Sequence, residues 1–241
     1  MKALFLGTGN AFADGGRRPM AILLRGEGGG ILLDCGPSTL PALKQCGSSP
    51  SDVDSILLSH HHGDHFAGVP FVVLHEMFRG RTKPLSVLGP PGTRSKLVAL
   101  TELLYPGLDE TLFPLDYRDV VPGSTHRSAG ATVEPFEVDH FSGGVALGFR
   151  VVVDGKSVVF SGDTAWTDAL LSPTDGADLF ICECSSFDEP VERHMSYRDL
   201  STRRDQLRAK RTFLVHASDD VIARRDELAF PLAFDGMEVD L

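Results

Sequence analysis

Nine short apolar runs, most of them bounded by glycine, proline, aspartate or serine, limit the folds that this chain can adopt. The runs cover residues 3–6, 21–24, 31–33, 56–58, 85–88, 151–153, 158–160, 179–182 and 213–215. Most are continuous rather than alternating, which is typical of β-strands covered on both faces. Apolar residues at three-and-four spacing predict helices over residues 66–78 and 96–104, and a more polar helix over 197–209. Strands that alternate with helices, in numbers sufficient for two sheets, indicate a layered α/β sandwich.

The glycines and prolines show no linker-like cluster that would divide the chain. The 25 glycines and 15 prolines are spread along the whole sequence, with no internal repeat and no low-complexity segment. We therefore expect one domain over residues 1–241.

The charge balance excludes one class of partner. The chain has 23 Lys and Arg against 33 Asp and Glu, a net charge of −10, and its basic residues form only scattered pairs. Nonspecific binding to nucleic acid or to acidic membranes depends on many basic side chains, so extended nucleic-acid binding is not expected. A phosphate-bearing substrate held by metal remains compatible with this charge.

The sequence has no feature of a membrane or secreted protein. The apolar start before Gly7 is too short for a signal-peptide core, and no stretch approaches the ~20 apolar residues of a membrane span. Four cysteines in a chain of this length make a poor disulfide framework. We expect a cytoplasmic protein with reduced thiols, in which Cys182 and Cys184 are small core residues.

The densest functional signal is a histidine cluster directly after the run 56–58. It reads Ser59-His60-His61-His62-Gly63-Asp64-His65. Alternate residues leaving a strand project to one side, so His60 and His62 can hold one metal ion. We expect Gly63 to permit a bend in the chain, after which the side chains of Asp64 and His65 reach a second position a few ångströms away. Imidazole and carboxylate ligands suit zinc, manganese or iron.

This cluster at a strand end resembles the signature of the metallo-β-lactamase superfamily, whose fold is a four-layered αββα sandwich. Further segments along the chain are similar to the branch of that superfamily that contains ribonuclease Z and small phosphodiesterases. They are residues 6–11 (LGTGNA), 31–36 (ILLDCG), 160–164 (FSGDT), 183–187 (ECSSF), 194–196 (HMS) and 235–237 (DGM).

The resemblance implies a centre for two divalent metal ions, with Zn²⁺ the leading choice and Mn²⁺ or Fe²⁺ as alternatives. By that resemblance His60, His62 and His140 hold the first ion, Asp64, His65 and His216 hold the second, and Asp163 bridges them. His140 ends an alternating strand predicted over residues 131–139, and Asp163 and His216 follow the runs 158–160 and 213–215.

The resemblance also assigns residues around the metal ligands. It implies that His194 approaches the oxygen of the leaving group, where it could donate a proton or bind a phosphate oxygen. Asp34 is expected to fix a ligand imidazole by a hydrogen bond rather than to bind metal. His61, His75 and His126 are interpreted as structural or exposed.

Two departures separate this chain from the tRNA-processing members of the branch. Those enzymes carry a Gly/Pro-rich arm between the ligand histidine and the bridging aspartate, whereas the 23 residues from His140 to Asp163 have room for only two strands and a turn. They also have a glutamate, three residues before that aspartate, that orients the histidine acid, and Phe160 occupies this position here.

These features predict a metal-dependent hydrolase that cleaves a small phosphodiester, such as a cyclic nucleotide or a cyclic sugar phosphate. In this interpretation the dinuclear centre supplies a bridging hydroxide, Asp64 orients it, and His194 assists departure of the alkoxide.

Four alternatives stay open to different degrees. They are a ribonuclease Z-like tRNA 3′ endonuclease, a lactonase or thioesterase on the same fold, di-iron redox chemistry and a non-catalytic scaffold. The di-iron branch has a glutamate where His62 stands, and a scaffold would be expected to lack ligands, so the sequence disfavours both. Close relatives often dimerise, which leaves a homodimer open.

Overall fold

The apolar runs form two β-sheets in the computed structural model, which describes residues 1–108 and 111–241. The first sheet has the strand order β13-β1-β2-β3-β4-β5-β6. Its strands are β1 (Lys2–Gly7), β2 (Ala21–Gly26), β3 (Gly29–Leu33), β4 (Val53–Leu57), β5 (Leu85–Gly89), β6 (Leu115–Asp119) and β13 (Glu238–Asp240). The strands from β3 to β6 are parallel, and the remaining neighbours are antiparallel.

The second sheet has the order β12-β11-β10-β9-β8-β7. Its strands are β7 (His126–Ser128), β8 (Ala131–Val138), β9 (Ala146–Val153), β10 (Lys156–Phe160), β11 (Leu179–Glu183) and β12 (Thr212–Val215). Strands β10, β11 and β12 are parallel, and β8 has the same direction because two antiparallel steps separate it from β10. The carboxyl ends of these four strands therefore meet at one edge of the sheet.

Helices cover the outer faces of both sheets. The α-helices are α1 (Thr39–Gln45), α2 (Gly63–Phe66), α3 (Val69–Phe78), α4 (Thr93–Leu104), α5 (Leu171–Thr174), α6 (Tyr197–Thr202) and α7 (Asp219–Ala223). Short 3₁₀ turns lie at Asp14–Gly16, Pro50–Asp52, Asp168–Leu170, Arg204–Gln206 and Arg225–Glu227. Within the described ranges, no helix combines the length and the apolar character needed to span a bilayer.

Three apolar cores account for the four layers. The inner core lies between the sheets and includes Phe5, Phe149 and Phe160, all essentially inaccessible to solvent. A second core packs α1, α3 and α4 on the first sheet, and a third packs α6 and α7 on the second. Continuous burial of β1, β3 and β11 on both faces follows from this arrangement. The four-layered αββα sandwich predicted from the sequence is confirmed.

Two predicted helices differ from those observed. The segment 66–78 is divided into α2 and α3, because Gly68 packs against the backbone of Gly36 and Pro70 lies in the first turn of α3. The segment 197–209 is helical only to Thr202, because the chain beyond the following 3₁₀ turn is extended and Lys210 N–H donates to Ala177.

The role expected of Gly63 is also wrong. Its backbone is not in the left-handed region, and a Cβ at this position would meet no atom within 4 Å. The chain turns from β4 into α2 without needing a glycine at this residue. The glycine that the local geometry requires is Gly68, where a Cβ would lie 2.1 Å from the carbonyl oxygen of Gly36 and 2.8 Å from that of Cys35.

Replacement of Gly68 by alanine should destabilise the fold. The added Cβ clashes with backbone atoms that cannot rotate away, so we expect the free energy of unfolding to fall by about 1–3 kcal/mol. Gly63→Ala is the matched control, and its free energy of unfolding should stay within about 0.5 kcal/mol of the parent value. Urea denaturation of the three proteins measures both values, and equal losses in the two variants would contradict this account of the turn.

Candidate metal centre

Seven histidine and aspartate side chains converge where the strand ends meet. They form two groups, and within each group the donor atoms lie within 4.8 Å of one another. The first group is His60, His62 and His140, and the second is Asp64, His65, Asp163 and His216. The resemblance assigns the same histidines and Asp64 to two ions, with Asp163 as the bridge between them.

The first group is built by β4 and β8. His60 and His62 follow β4 with one residue between them, and their side chains reach the same point as His140, which lies two residues beyond β8. The Nε2 atom of His140 is 3.1 Å from the Nδ1 atom of His62. Two ligands of a tetrahedral ion with bonds of about 2 Å are separated by about 3.3 Å, so this spacing suits a shared metal.

The second group combines the short helix α2 with the ends of β10 and β12. The Nε2 atom of His65 is 3.2 Å from the nearest Asp64 oxygen, and that of His216 is 3.4 Å from it. His216 has a left-handed backbone with φ of 58°, and its N–H donates to the carbonyl of Thr8. This unusual conformation turns the imidazole back toward α2.

Asp163 lies between the two groups. One carboxylate oxygen, Oδ2, is 3.3 Å from the Nε2 atoms of His65 and His216. The same oxygen is 3.8 Å from His60 Nε2 and 4.0 Å from His140 Nε2. Burial alone would raise the pKa of Asp163, but the surrounding imidazoles hold it well below its usual value. A carboxylate in this position is able to contact ions in both groups.

A buried aspartate orients two of the imidazoles. Asp34 accepts hydrogen bonds from His65 Nδ1 at 2.7 Å, from the Ser59 amide at 2.7 Å and from the Ser59 hydroxyl at 2.8 Å. Because the Ser59 hydroxyl donates to Asp34, it accepts the bond of 3.0 Å from His60 Nδ1. The Nε2 atoms of His60 and His65 therefore face the centre. The hydrogen bond that the sequence predicts between Asp34 and a ligand imidazole is present.

The Nδ1 atoms of His140 and His216 also have hydrogen-bond partners. His140 Nδ1–H donates to the carbonyl of Arg193 at 3.0 Å, and His216 Nδ1–H donates to the hydroxyl of Ser185 at 3.0 Å. Fixing the tautomer in this way leaves the Nε2 lone pair free, which is the usual arrangement around a metal ligand.

The residues present fit a divalent cation. The Nε2 atoms of His60 and His65 are fully buried and have no hydrogen-bond partner in the described part of the chain. Burial by itself would lower the pKa of His65, but three neighbouring carboxylates raise it well above the usual value, so the centre attracts positive charge. Imidazole and carboxylate donors in this number bind zinc, manganese or iron better than magnesium.

His194 stands beside this centre. One of its ring nitrogens lies within 4.8 Å of donor atoms of His140 and Asp163, and its Nδ1 atom is 3.1 Å from Glu183 Oε1. Burial would lower the pKa of His194, but the hydrogen bond to Glu183 outweighs it and raises the pKa to about 8. His194 is not the isolated surface residue that the sequence alone left open.

Glu183 is the functional residue that the sequence analysis missed. It is almost completely buried at the end of β11, and it also accepts hydrogen bonds from the Thr164 amide and from Ser185. The sequence suggested that no carboxylate orients His194, because Phe160 stands at the expected position. The structure supplies that carboxylate from another strand. An acidic residue that ends an apolar run, 179–182, was the available signal.

The histidines interpreted as structural lie outside the two groups. His61 contacts Thr93 and Lys96 of α4, His75 contacts Glu76, and His126 contacts Ser124. Cys182 and Cys184 are buried in the third core, as predicted.

Comparisons with known proteins identify a family and related structures. A family model described as Anti-Pycsar protein Apyc1 matches residues 1–230. Ribonuclease Z of Methanosarcina acetivorans is 26% identical, over 92% of this chain and 90% of that protein. The crystal structure of the short form of human tRNase Z superposes with a TM-score of 0.83 at 26% identity, covering 100% of this chain and 99% of that chain. The metallo-β-lactamase fold protein YhfI of Bacillus subtilis, at 18% identity, shares the fold with a TM-score of 0.81 and coverage of 99% and 98%.

Replacement of Asp34 by asparagine should weaken metal binding. The amide has a single acceptor oxygen and adds N–H groups that face the donors of Ser59 and His65, so we expect a loss of about 10- to 100-fold in affinity for Zn²⁺. Asp154→Asn is the matched control, because Asp154 is another aspartate with a left-handed backbone, at φ of 52° against 56° for Asp34. Competition with a chromophoric chelator measures the affinities, and equal affinities in the two variants would be incompatible with this role.

Proposed function

The chain belongs to the Anti-Pycsar protein Apyc1 family, and from this premise we propose that it hydrolyses a small phosphodiester, such as a cyclic nucleotide or a cyclic sugar phosphate. The protein is a metal-dependent hydrolase of the metallo-β-lactamase superfamily, in its ribonuclease Z-like branch. Its cluster of histidines and aspartates is suited to divalent metal ions.

We expect two ions, most suitably Zn²⁺. His60, His62 and His140 would hold one, Asp64, His65 and His216 the other, and Asp163 would contact both. The support is the pair of donor groups and the position of Asp163 Oδ2 within 4.0 Å of four imidazole nitrogens. Such ions, when bound, polarise a phosphoryl oxygen and lower the pKa of water.

The protein's own residues have distinct parts in the proposed hydrolysis. The attacking water releases one proton to solvent, and its oxygen bonds to phosphorus while the bond from phosphorus to the ester oxygen breaks. Asp64 accepts a hydrogen bond from the attacking water and orients it. His194, whose Nδ1–H is held by Glu183, donates its Nε2 proton to the departing alkoxide.

One observation favours a small substrate. The segment from His140 to Asp163 is folded into β9 and β10 of the second sheet, joined by a turn at residues 154–155, and no arm extends from it. The net charge of −10 points in the same direction, because binding along a polynucleotide backbone depends on many basic side chains.

Two exposed aromatic rings support a substrate that carries a base. Phe141 directly follows His140 and is 71% exposed. Phe12 is 84% exposed in a turn that is attached, through Gly15 N–H and the Asp219 carboxylate, to the segment after His216. Stacking of a base on an aromatic ring contributes ~1–3 kcal/mol, which favours a cyclic nucleotide over a cyclic sugar phosphate.

A tRNA 3′ endonuclease is the second candidate. Its support is the similarity over nearly full length to proteins named ribonuclease Z and to human tRNase Z. Lactone hydrolysis and thioester hydrolysis are alternative reactions for this site, because the same ligands can polarise a carbonyl group.

A substrate panel on protein of known metal content tests the proposal. Protein purified without chelator should contain close to two transition-metal ions per chain. Cyclic nucleotides and aryl phosphodiesters should then exceed lactones and thioesters in kcat/KM, and a pre-tRNA should be cleaved poorly. Efficient 3′ processing of pre-tRNA at nanomolar protein would select the second candidate, and faster lactone or thioester hydrolysis would reject phosphodiester chemistry.

Replacement of His194 should slow hydrolysis most for substrates with poor leaving groups. A general acid contributes ~10²- to 10⁴-fold when the leaving group needs a proton, so His194→Ala should slow a nucleoside cyclic phosphate by about that factor and a nitrophenyl phosphodiester far less. His126→Ala, which alters a histidine away from the metal centre, should leave both rates unchanged. Equal slowing of both substrates, with the metals retained, would mean that His194 binds phosphate and does not donate the proton.

A further inference from the structure

Two buried carboxylates in this protein are paired with serines in the same way. Asp34 with Ser59, and Glu183 with Ser185, each hold one imidazole directly and a second imidazole through the serine hydroxyl. Asp34 and Ser59 follow β3 and β4 of the first sheet, and Glu183 and Ser185 lie at and just after the end of β11 in the second sheet. The two pairs differ in the imidazoles that they orient.

The hydrogen positions in the second pair follow from its contacts. Ser185 has one hydroxyl proton, and its shortest contact is the bond of 2.6 Å to Glu183 Oε2, a carboxylate oxygen that can only accept. The Ser185 oxygen therefore accepts from His216 Nδ1–H, at 3.0 Å. His194 Nδ1 lies 3.1 and 3.2 Å from the two Glu183 oxygens and donates to them, and it lies 3.3 Å from the Ser185 oxygen. One buried carboxylate thus determines the orientation of both rings.

The rings that these pairs orient have different chemistry. Asp34 and Ser59 orient two candidate metal ligands, His65 and His60. Glu183 and Ser185 orient one candidate ligand, His216, and the histidine beside the centre that is not in the ligand set, His194. The planes of these last two rings are stacked, at an angle of 10° and a centroid distance of 5.6 Å.

We propose that Glu183 and Ser185 are positioning residues that connect metal binding at His216 to the placement of His194, with the Ser185 hydroxyl as the connecting group. The part concerning His194 rests on the proposed function, whereas the part concerning His216 and metal affinity does not. The effects of the two residues should be separable. Loss of Ser185 affects mainly the His216 branch, because His194 Nδ1–H keeps its shorter contacts with Glu183, whereas loss of the Glu183 charge affects both branches.

The sequence offers a closely matched control for Ser185. Ser186 is the next residue, it is also buried, and its hydroxyl has no hydrogen-bond partner in the described part of the chain. Ser185→Ala and Ser186→Ala therefore remove the same atoms from adjacent buried positions, one within the network and one outside it. Ser185→Thr keeps the hydroxyl and is the conservative variant.

The first measurement is Zn²⁺ affinity, by competition with a chromophoric chelator, on folded full-length protein. Ser185→Ala should weaken binding of the second ion by about 10-fold or more, because His216 Nδ1–H loses its acceptor. Ser186→Ala should bind as the parent protein does, and Ser185→Thr should recover affinity to within about 3-fold. Equal affinities of Ser185→Ala and Ser186→Ala would overturn the proposal, and this result needs no substrate.

The second measurement follows His194 in two ways. At saturating Zn²⁺, the ratio of rates on a nitrophenyl phosphodiester and a nucleoside cyclic phosphate should be unchanged in Ser185→Ala and should rise about 10-fold or more in Glu183→Gln. NMR of the imidazole nitrogens should show the Nδ1–H tautomer of His194 retained in Ser185→Ala and lost in Glu183→Gln. If the His194 tautomer and the Zn²⁺ affinity both stay unchanged in Glu183→Gln, the proposed connection between His216 and His194 is overturned.

These measurements separate the two proposals. If the parent protein cleaves no phosphodiester while the metal affinities and the tautomer follow the expected order, the proposed function fails and the positioning role stands. If the parent protein cleaves phosphodiesters while Ser185→Ala and Ser186→Ala bind Zn²⁺ equally, the positioning role fails and the function stands.

Discussion

The attraction between one buried carboxylate and the imidazoles around it is the interaction on which the site depends. Asp163 is 4% exposed, and its Oδ2 atom lies within 4.0 Å of four histidine nitrogens. Removing a carboxylate from water is costly unless opposite charge or hydrogen bonds replace the solvent. The fold meets this requirement by ending β4, β8, β10 and β12 near one point, where β10 contributes Asp163 and the other three parts of the chain contribute the histidines.

The same convergence needs backbone conformations that few residues adopt readily. Asp34, Arg193 and His216 have φ values of 56°, 58° and 58°, in the left-handed region that favours glycine. Each of these conformations costs roughly 1–3 kcal/mol where a side chain is present, and all three residues hold or orient an imidazole. The backbone keeps these conformations at the site. The protein therefore loses some stability and gains fixed positions for the candidate ligands.

How much of the fold and of the candidate site the sequence predicts depends on how far apart the interacting residues lie in the sequence. The cluster 59–65 is local, so its division between two metal positions is visible in its spacing. The strands before Asp163 and His216 follow from apolar runs, and the strand before His140 follows from the alternation over 131–139. Strands β6, β7 and β13 were not predicted, because they are short edge strands with polar residues. Glu183 was missed for a different reason. Its partner His194 comes from a loop eleven residues later, and only the folded structure shows that this loop returns to the end of β11.

The metal ligands themselves do not select the substrate, because relatives with different names share the fold and this arrangement of secondary structure. A TM-score of 0.83 to human tRNase Z describes the scaffold that carries the ligands. Selection has to arise from residues that surround the ligands without binding metal. Under the proposed function, the candidates are the short connection through β9 and β10, the exposed Phe141, which follows His140 in the chain, and Glu183, which accepts a hydrogen bond from His194. Glu183 holds His194 Nδ1–H from the end of β11, so this contact does not depend on the short connection from His140 to Asp163. Under the proposed function, that combination suits a small phosphodiester.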